Sequence, residues 1–343
     1  MAQHLLTNGP LLDANGQLSE AGYATSLVKT YDRGAIKAGK SRIKEWDYYL
    51  IYNDRFGVAL TLDDNSYMGM VSASFLDFEK PAERTVSPMF WFPFGKTGFP
   101  ASSARGNVEK SMAGAFGSFA HEDGKRHLVF CIENFEDGKP FACDIWLSDE
   151  PRDSMVIATP FAEKSTAFYY NQKIIAMRAS GYVEYRGERF AFDPKESFGL
   201  LDWGRGVWTY DNTWYWSALQ GELDGHTFGF NLGYGFGDTS AASENMLFYD
   251  GVAHKLDRVT FNIPQRDGKD DFLSPWRFTD NEGRLDLTFT PILDRASKTD
   301  VVVICSDQHQ VFGRFSGKAV LDDGTELALP SMLGFAEKVR NRW

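Results

Sequence analysis

The strongest constraint on the fold is a series of short β-rich runs separated by tight-turn residues. Six Asp-Gly pairs begin at positions 123, 137, 224, 250, 267 and 323. Asp-Gly is favoured in two-residue hairpin turns, because both central residues of such a turn need positive φ. Between the turns, apolar residues alternate with a period of two, which is typical of strands. The sequence therefore predicts an all-β fold of antiparallel sheet with few short helices, one of them over residues 19–29.

Length and charge limit the organisation and the partners. A chain of 343 residues has material for about two domains, which we place at residues 1–195, including an irregular N-terminal segment, and 196–343. The net charge of −11 argues against a nucleic-acid partner, because binding there rests on Lys and Arg neutralising phosphates. No apolar run approaches the roughly 20 residues of a membrane helix, so we expect no membrane span. The N-terminus lacks the features of a secretory signal, so we predict a cytoplasmic protein.

Common cofactor and metal signatures are absent from the sequence. It contains no phosphate-binding P-loop, no nucleophile elbow and no zinc-binding HExxH motif. The three cysteines, Cys131, Cys143 and Cys305, fit no metal-ligand spacing, and we interpret them as buried thiols. We therefore predict no cofactor and no metal site.

An aromatic stretch over residues 199–237 stands out as the centre of the chain. In its last strand one face is apolar, with Phe228, Phe230, Leu232, Tyr234 and Phe236. The other face is nearly bare, with Gly229, Asn231, Gly233, Gly235 and Gly237. Glycine in a strand lets a ligand or another part of the protein approach the backbone closely. Two explanations are open: a ligand cavity, or a bulky neighbour such as Trp214 or Trp216.

Two groups of motifs resemble known families. The runs Gly181–Tyr185 and Gly199–Gly206, in which Asp202 precedes Trp203, resemble the lipocalin-like group of AttH-type proteins, carotenoid 1,2-hydratases and tocopherol cyclases. Longer runs resemble a bacterial domain-of-unknown-function family related to that group: Arg42–Tyr49, Trp203–Trp216, Asn231–Asp238, Glu244-Asn245, Pro275–Phe278 and Gly334–Trp343. The resemblance implies two consecutive antiparallel lipocalin-like (calycin) β-barrels and a hydrophobic small-molecule partner, such as a lipid, isoprenoid or polyene.

One hypothesis is an enzyme that catalyses acid-initiated hydration, cyclisation or isomerisation. This chemistry needs a carboxylic acid kept protonated by apolar surroundings, and aromatic faces that stabilise a cation. The candidate catalytic acids are Asp202, Asp238 and Glu244. The candidate ligand-binding residues are Trp203, Arg205, Trp214, Tyr215, Trp216, Asn231, Tyr234 and Asn245.

Other hypotheses fit the same residues. A carrier that binds a hydrophobic molecule without changing it needs only a cavity, and a structural module needs only filled barrels. Asp202 is either the acid or one half of an ion pair with Arg205 that ties the domain junction. Glu244 and Asn245 either serve a site or cap a loop-to-strand connection. Among these alternatives we favour the enzyme.

Overall fold

The protein consists almost entirely of β-strands. The computed structural model describes residues 3–301 and 304–342; Trp343, which ends the last run of the family resemblance, lies outside them. The strands are β1 Gly9–Pro10, β2 Gly22–Ala24, β3 Lys29–Thr30, β4 Ile43–Tyr52, β5 Phe56–Asp64, β6 Met68–Asp77, β7 Ala82–Val86, β8 Met89–Trp91, β9 Val108–Met112, β10 Ala115–Glu122, β11 Lys125–Glu136, β12 Lys139–Ser148, β13 Met155–Pro160, β14 Phe168–Tyr185, β15 Glu188–Phe192, β16 Phe198–Val207, β17 Asp211–Leu223, β18 His226–Tyr234, β19 Met246–Tyr249, β20 Val252–Lys255, β21 Val259–Asn262, β22 Gln265–Arg266, β23 Lys269–Asp270, β24 Trp276–Asp280, β25 Leu285–Val301, β26 Ile304–Val320 and β27 Glu326–Arg342.

These strands form two large antiparallel sheets. The path of the first runs β7-β6-β5-β4-β16-β14-β12-β11-β10-β9, with β2, β8, β13 and β15 paired beside it. The second runs β20-β19-β18-β17-β27-β26-β25-β24-β21. Both sheets curl, so the predicted all-β fold of lipocalin-like units is confirmed. Among the described residues no helix is long and apolar enough to cross a membrane.

The Asp-Gly turns organise the hairpins as expected. Five of the six aspartates have φ between 47° and 52°, and the glycine after each is also positive. They join β10 to β11, β11 to β12, β17 to β18, β19 to β20 and β22 to β23. In the sixth pair only Gly324 has positive φ, within the longer connection from β26 to β27. The turn chemistry thus accounts for most of the strand order.

Three sequence predictions need correction. The helix over residues 19–29 is wrong, because β2 in this segment pairs with β13 and extends the first sheet. Helical turns among the described residues are limited to two short 3₁₀ segments, Arg33–Ala35 and Lys40–Arg42. Only Cys143 is buried, whereas Cys131 and Cys305 are partly exposed.

The third correction concerns Phe236. Its ring packs 4.8 Å from that of Tyr169 and 5.0 Å from that of Trp208, centroid to centroid, outside the core of the second sheet. Strand β18 ends at Tyr234, and Gly235 has φ of +91°, which breaks the alternation. Phe228, Phe230 and Leu232 keep the predicted phase and are buried in the core that the second sheet encloses.

The boundary between the sheets lies within a short connection. Strand β16 pairs with both β4 and β14 and therefore belongs to the first sheet. The second sheet begins at Asp211, the first residue of β17. The sequence-based division at 195/196 falls before β16, so we propose residues 208–210 as the domain boundary.

A glycine in the middle of β16 makes room for an indole. Gly204 lies opposite Trp46 in the β4–β16 ladder. A Cβ at position 204 would lie 1.9 Å from Cζ2 of Trp46, far inside van der Waals contact. Trp46 therefore packs over the bare backbone of β16.

We expect Gly204→Ala to destabilise the protein by about 1–3 kcal/mol, because the methyl group overpacks the contact with Trp46. Chemical denaturation measures the loss. Gly39→Ala is the matched control, since no atom lies within 4 Å of a Cβ there. Equal stability of the two variants would contradict the packing described here.

Candidate functional site

Alternation along β16 sends its polar residues to two different sides of the first sheet. Successive side chains of a strand point to opposite faces. Asp202 lies on the face that packs against the second sheet. On this same face of the first sheet, Lys173 Nζ lies 3.2 Å from Asp202 Oδ1. Arg205 faces the interior of the first sheet, where its Nη1 donates to Asp47 Oδ1 at 2.9 Å. The hypothesised Asp202–Arg205 ion pair is therefore wrong, because residues i and i+3 of a strand lie on opposite faces.

The first sheet presents a polar row to the second. Tyr48, Asp202 and Lys173 are directly opposite one another across β4, β16 and β14. All three side chains are buried. Asn171 donates through Nδ2 to Asp202 Oδ1 at 2.6 Å. Asp202 is thus held by one ammonium and one amide.

The second sheet presents a matching row. Gln310, Glu337, Trp216 and Gly233 are neighbours across β26, β27, β17 and β18. The rows touch at both ends: Gln310 Oε1 lies 3.4 Å from the Tyr48 hydroxyl, and Lys173 Nζ lies 3.9 Å from the ring centroid of Trp216. We call the residues of the two rows, together with Asn231 and Glu244, the interface cluster.

Glu337 is a buried carboxyl within this cluster. Its Oε1 accepts from the Trp214 indole at 2.8 Å, and its Oε2 accepts from Gln310 Nε2 at 3.1 Å. Burial raises the pKa of Glu337 to about 7; the Trp214 hydrogen bond and the Lys173 charge act in the opposite direction. A substantial fraction of Glu337 is therefore a neutral carboxylic acid at neutral pH.

Glu244 supplies a third carboxyl to the cluster. Asn231 Nδ2 donates to its Oε2 at 3.2 Å and to its carbonyl oxygen at 2.9 Å. A Cβ on Gly233 would lie 2.7 Å from the Glu244 carboxyl carbon, so the bare strand face accommodates this carboxyl. Burial also raises the pKa of Glu244, against the opposing charge of Lys173.

A group of packed aromatic side chains lies beside the interface cluster. We call it the aromatic rim, and its members are Trp46, Tyr169, Trp208, Trp214 and Phe236. Neighbouring rings lie 4.8 to 6.1 Å apart, centroid to centroid. The three tryptophans of the rim are partly exposed, whereas Tyr169 and Phe236 are buried. Trp214 joins the rim to the cluster through its hydrogen bond to Glu337.

Five of the sequence-based candidates meet at this site. They are Asp202, Glu244, Trp214, Trp216 and Asn231, and the Trp216 indole donates to Asn231 Oδ1 at 2.7 Å. Trp203 and Arg205 lie instead inside the first sheet, where the guanidinium carbon is 4.2 Å from the Trp203 ring centroid. Their Nε1 and Nε atoms are buried without a hydrogen-bond partner among the described residues.

The other candidates have different surroundings. Tyr215 and Tyr234 stack at 4.5 Å, centroid to centroid, against the core that the second sheet encloses. Asn245 bonds backbone at both ends of its amide, accepting from Gly233 N and donating to Asp257 O. Asp238 is exposed, and hydrogen bonds from Ser240 lower its pKa, which does not suit a proton donor.

Sequence reasoning missed Lys173, Glu337, Gln310 and Tyr48 as site residues. A usable signal was a charged residue in the apolar phase of a strand. Glu337 follows Leu333 and Phe335 at intervals of two in β27, and all three are buried. The partners of such a residue lie on distant strands, so the pattern alone does not identify the site.

Two surface depressions lie elsewhere. One, of about 500 Å³, is lined by residues of the 266–273 segment and Asp294. Another, of about 460 Å³, is lined by Asp149, Arg178, Pro194, Lys195 and Glu222. None of the residues that line these two depressions belongs to the interface cluster.

Fold and site together define a lipocalin-like protein with a charged, aromatic cluster between two curled sheets. The chain belongs to the family described as Domain of unknown function (DUF2804), which it matches over residues 2–343. No curated protein matches it. It is similar to the crystal structure of an AttH-type protein from Nitrosomonas europaea, at 14% identity and a TM-score of 0.56 over 92% of this chain and 98% of that one. It is also similar to kievitone hydratase from Nectria haematococca, at 12% identity and 0.49 over 93% and 97%. At these identities the likeness to the AttH-type structure concerns the fold alone.

The raised pKa of Glu337 predicts a pH-dependent loss of stability. Its pKa is about 7 in the folded protein against 4.5 ordinarily, so the folded state binds the proton more tightly. This contribution is complete below about pH 4.5 and is lost as the pH rises through about 7. At about 1.4 kcal/mol per pKa unit, we expect wild type to lose roughly 3 kcal/mol relative to Glu337→Gln.

Urea unfolding across this pH range measures the difference. Glu188→Gln, which changes an exposed glutamate, is the control and should parallel wild type. A constant difference between wild type and Glu337→Gln would show that Glu337 has an ordinary pKa.

The corrected pairing of Asp202 predicts a specific energetic coupling. Removing either Asp202 or Lys173 leaves a buried charge uncompensated, which costs about 3–5 kcal/mol. We expect a double-mutant cycle of Asp202→Asn with Lys173→Met to give a coupling energy of about 1–3 kcal/mol. The control cycle pairs Asp202→Asn with Arg205→Gln, on the opposite face, and should give less than about 0.5 kcal/mol. A larger coupling with Arg205 would restore the rejected ion pair.

Proposed function

We propose that this protein binds a hydrophobic small molecule at the aromatic rim and catalyses acid-initiated hydration, cyclisation or isomerisation of a carbon–carbon double bond. The observation that carries the proposal is the carboxyl of Glu337, which is buried at the contact between the sheets and hydrogen-bonded to Trp214 of the aromatic rim, with its pKa raised to about 7. The substrate class is an isoprenoid or polyene, because the rim offers ring faces and few polar groups.

Glu337 is the proposed proton donor. Its pKa of about 7 suits transfer near neutral pH, since a general acid works best when its pKa is close to the working pH. The proton moves from the Glu337 oxygen to one alkene carbon, and the π electrons form the new C–H bond. A cation is left on the other carbon.

The aromatic rim is the proposed cation stabiliser. Trp214 lies next to Glu337, to which its indole donates a hydrogen bond. The ring of Phe236 packs 5.4 Å from that of Trp214, centroid to centroid. An aromatic face contributes about 0.5–2 kcal/mol to binding a desolvated cation. The face of Trp216 is less suited to this role, because the Lys173 ammonium already occupies it.

Asp202 is the proposed base of the second step. It is the carboxylate paired with Lys173, and it accepts a proton from an attacking water in hydration or from the adjacent carbon in isomerisation. Glu244 is the second candidate acid, since burial raises its pKa too. Asp238 has no part in the proposed mechanism.

Deuterium incorporation tests the proposal directly. The protein is incubated in D₂O with a panel of isoprenoid alcohols and polyenes, and mass spectrometry follows deuterium bound to carbon. We expect incorporation with wild type and none with Glu337→Gln, because an amide does not deliver a proton to carbon. Asp238→Asn is the matched control and should keep wild-type activity.

The same experiment separates the enzyme from a carrier. Native mass spectrometry of the incubated samples reports bound molecules independently of turnover. A bound compound recovered unchanged and without deuterium would contradict catalysis and assign the protein as a carrier. Incorporation that persists in a folded Glu337→Gln variant would move the acid role to another residue.

A further inference from the structure

We propose that an exposed aromatic loop and a neighbouring basic segment dock this protein onto an anionic lipid surface. The aromatic loop is Met89–Phe94, and the basic segment is Arg33–Lys44. The inference rests on the proposed function for its purpose, the uptake of an apolar substrate from a membrane. Its geometry stands independently of that function.

Most of the large apolar side chains that are exposed in the described part of the chain lie in the aromatic loop. Seven large hydrophobic residues are exposed in the described part, and four of them lie in this loop. Their exposed fractions are 49% for Met89, 63% for Trp91, 63% for Phe92 and 44% for Phe94. Clustered apolar exposure marks a contact surface, whereas single exposed residues are normal.

The loop is held rigidly in this exposed position. Phe92 and Phe94 have φ of 56° and 48°, a region that bulky residues rarely adopt. Their amides donate to the carbonyl oxygens of Tyr67 and Ser66, at 3.0 and 3.1 Å. The buried carboxylate of Asp64 accepts from Gly95 N at 2.9 Å and ties down the end of the loop. The backbone is therefore fixed so that the rings face solvent.

Basic residues lie next to the loop although the protein is acidic. Residues 33–44 contain five basic and no acidic residues in a chain of net charge −11; among them Arg33 is paired with Glu45, and Lys44 is buried. This segment adjoins the loop, because a Cβ on Gly95 would lie 2.4 Å from Arg33 Nε. Lys37, Lys40 and Lys96 are exposed. Aromatic rings beside cations match the interfacial and headgroup layers of an anionic bilayer.

A second copy of the chain fits this surface less well. A two-fold dimer through the loop places the same patch on both partners, so each basic segment faces the other. Like charges opposed across an interface disfavour association. An anionic lipid surface instead meets both the aromatic and the basic character of the patch.

The docking surface leads toward the aromatic rim. The carbonyl oxygen of Tyr67 accepts from Phe92, and Lys44 Nζ lies 5.2 Å from the Tyr67 ring centroid. The same ammonium lies 5.2 Å from the ring centroid of Trp208, a member of the rim. Lys44 therefore lies against one ring next to the loop and one ring of the rim, and it connects the docking surface with the proposed site.

Vesicle flotation of the full chain, without substrate, tests the inference. The probes are vesicles of phosphatidylcholine alone and of phosphatidylcholine with phosphatidylglycerol. We expect binding to the anionic vesicles that weakens as salt is added. Trp91→Ser/Phe92→Ser should lower vesicle affinity about tenfold or more, because it removes the inserted apolar groups. Leu273→Ser, which removes an exposed leucine elsewhere, should not.

A charge variant keeps the test independent of the loop's folding. Lys37→Glu/Lys40→Glu should abolish the preference for anionic vesicles, whereas Lys195→Glu, also at an exposed lysine, should retain it. Equal binding by all variants, or no binding by wild type, would overturn the inference. Concentration-dependent dimerisation that the loop variant abolishes, without vesicle binding, would assign the surface to a second copy.

Glu337→Gln separates this inference from the proposed function. That variant should bind vesicles like wild type, since Glu337 is buried and belongs to neither the aromatic loop nor the basic segment. If Glu337→Gln loses deuterium incorporation but still binds vesicles, the result concerns only the role of Glu337 as the acid. Turnover by a protein that never binds vesicles overturns the docking surface alone.

Discussion

The contact between the two sheets buries charged groups that each sheet pairs within itself. Lys173 and Asp202 come from the first sheet, and Glu337 comes from the second. Each sheet encloses apolar side chains, but between them a lysine, three carboxyls and several amides are withdrawn from water. Removing one partner of such a pair strands a charge. Each sheet therefore brings its own paired polar groups to the contact, and the two rows meet where Tyr48 contacts Gln310 and where Lys173 contacts Trp216.

Much of the fold was predictable because it depends on local chemistry. Asp-Gly turns impose positive φ on consecutive residues, and that geometry joins adjacent antiparallel strands whatever the rest of the chain does. The segment over residues 19–29 shows the limit of local reasoning. Ser19 at its start is a suitable helix cap, yet β2 within this segment pairs with β13 at the side of the first sheet. The pairing of an edge strand is a long-range requirement that local propensity does not contain.

The candidate site was predictable in part. Asp202, Glu244, Trp214, Trp216 and Asn231 lie together, as the aromatic stretch suggested. The ion-pair hypothesis was wrong because Asp202 and Arg205, although close in sequence, point to opposite faces of β16. Lys173 and Glu337 were missed because their significance arises only when β14 and β27 face each other. These two strands are far apart in the sequence, so a local sequence pattern does not reveal that their residues lie close together.

The structure shows what occupies the space beside the glycines of the strands. Both explanations considered for the glycines of β18 assumed that something bulky or foreign fills the gap. At Gly233 the neighbour is the carboxyl of Glu244, and at Gly229 it is the side chain of Ile175 in the first sheet. In β16, Gly204 gives the same freedom to Trp46. At these glycines a neighbouring side chain occupies the space that a Cβ would fill: it comes from the connection after β18 at Gly233, from the neighbouring strand at Gly204, and from the first sheet at Gly229. The space at Gly233 therefore admits the Glu244 carboxyl, whose pKa is raised by burial, and a side chain at position 233 would displace this carboxyl from the cluster.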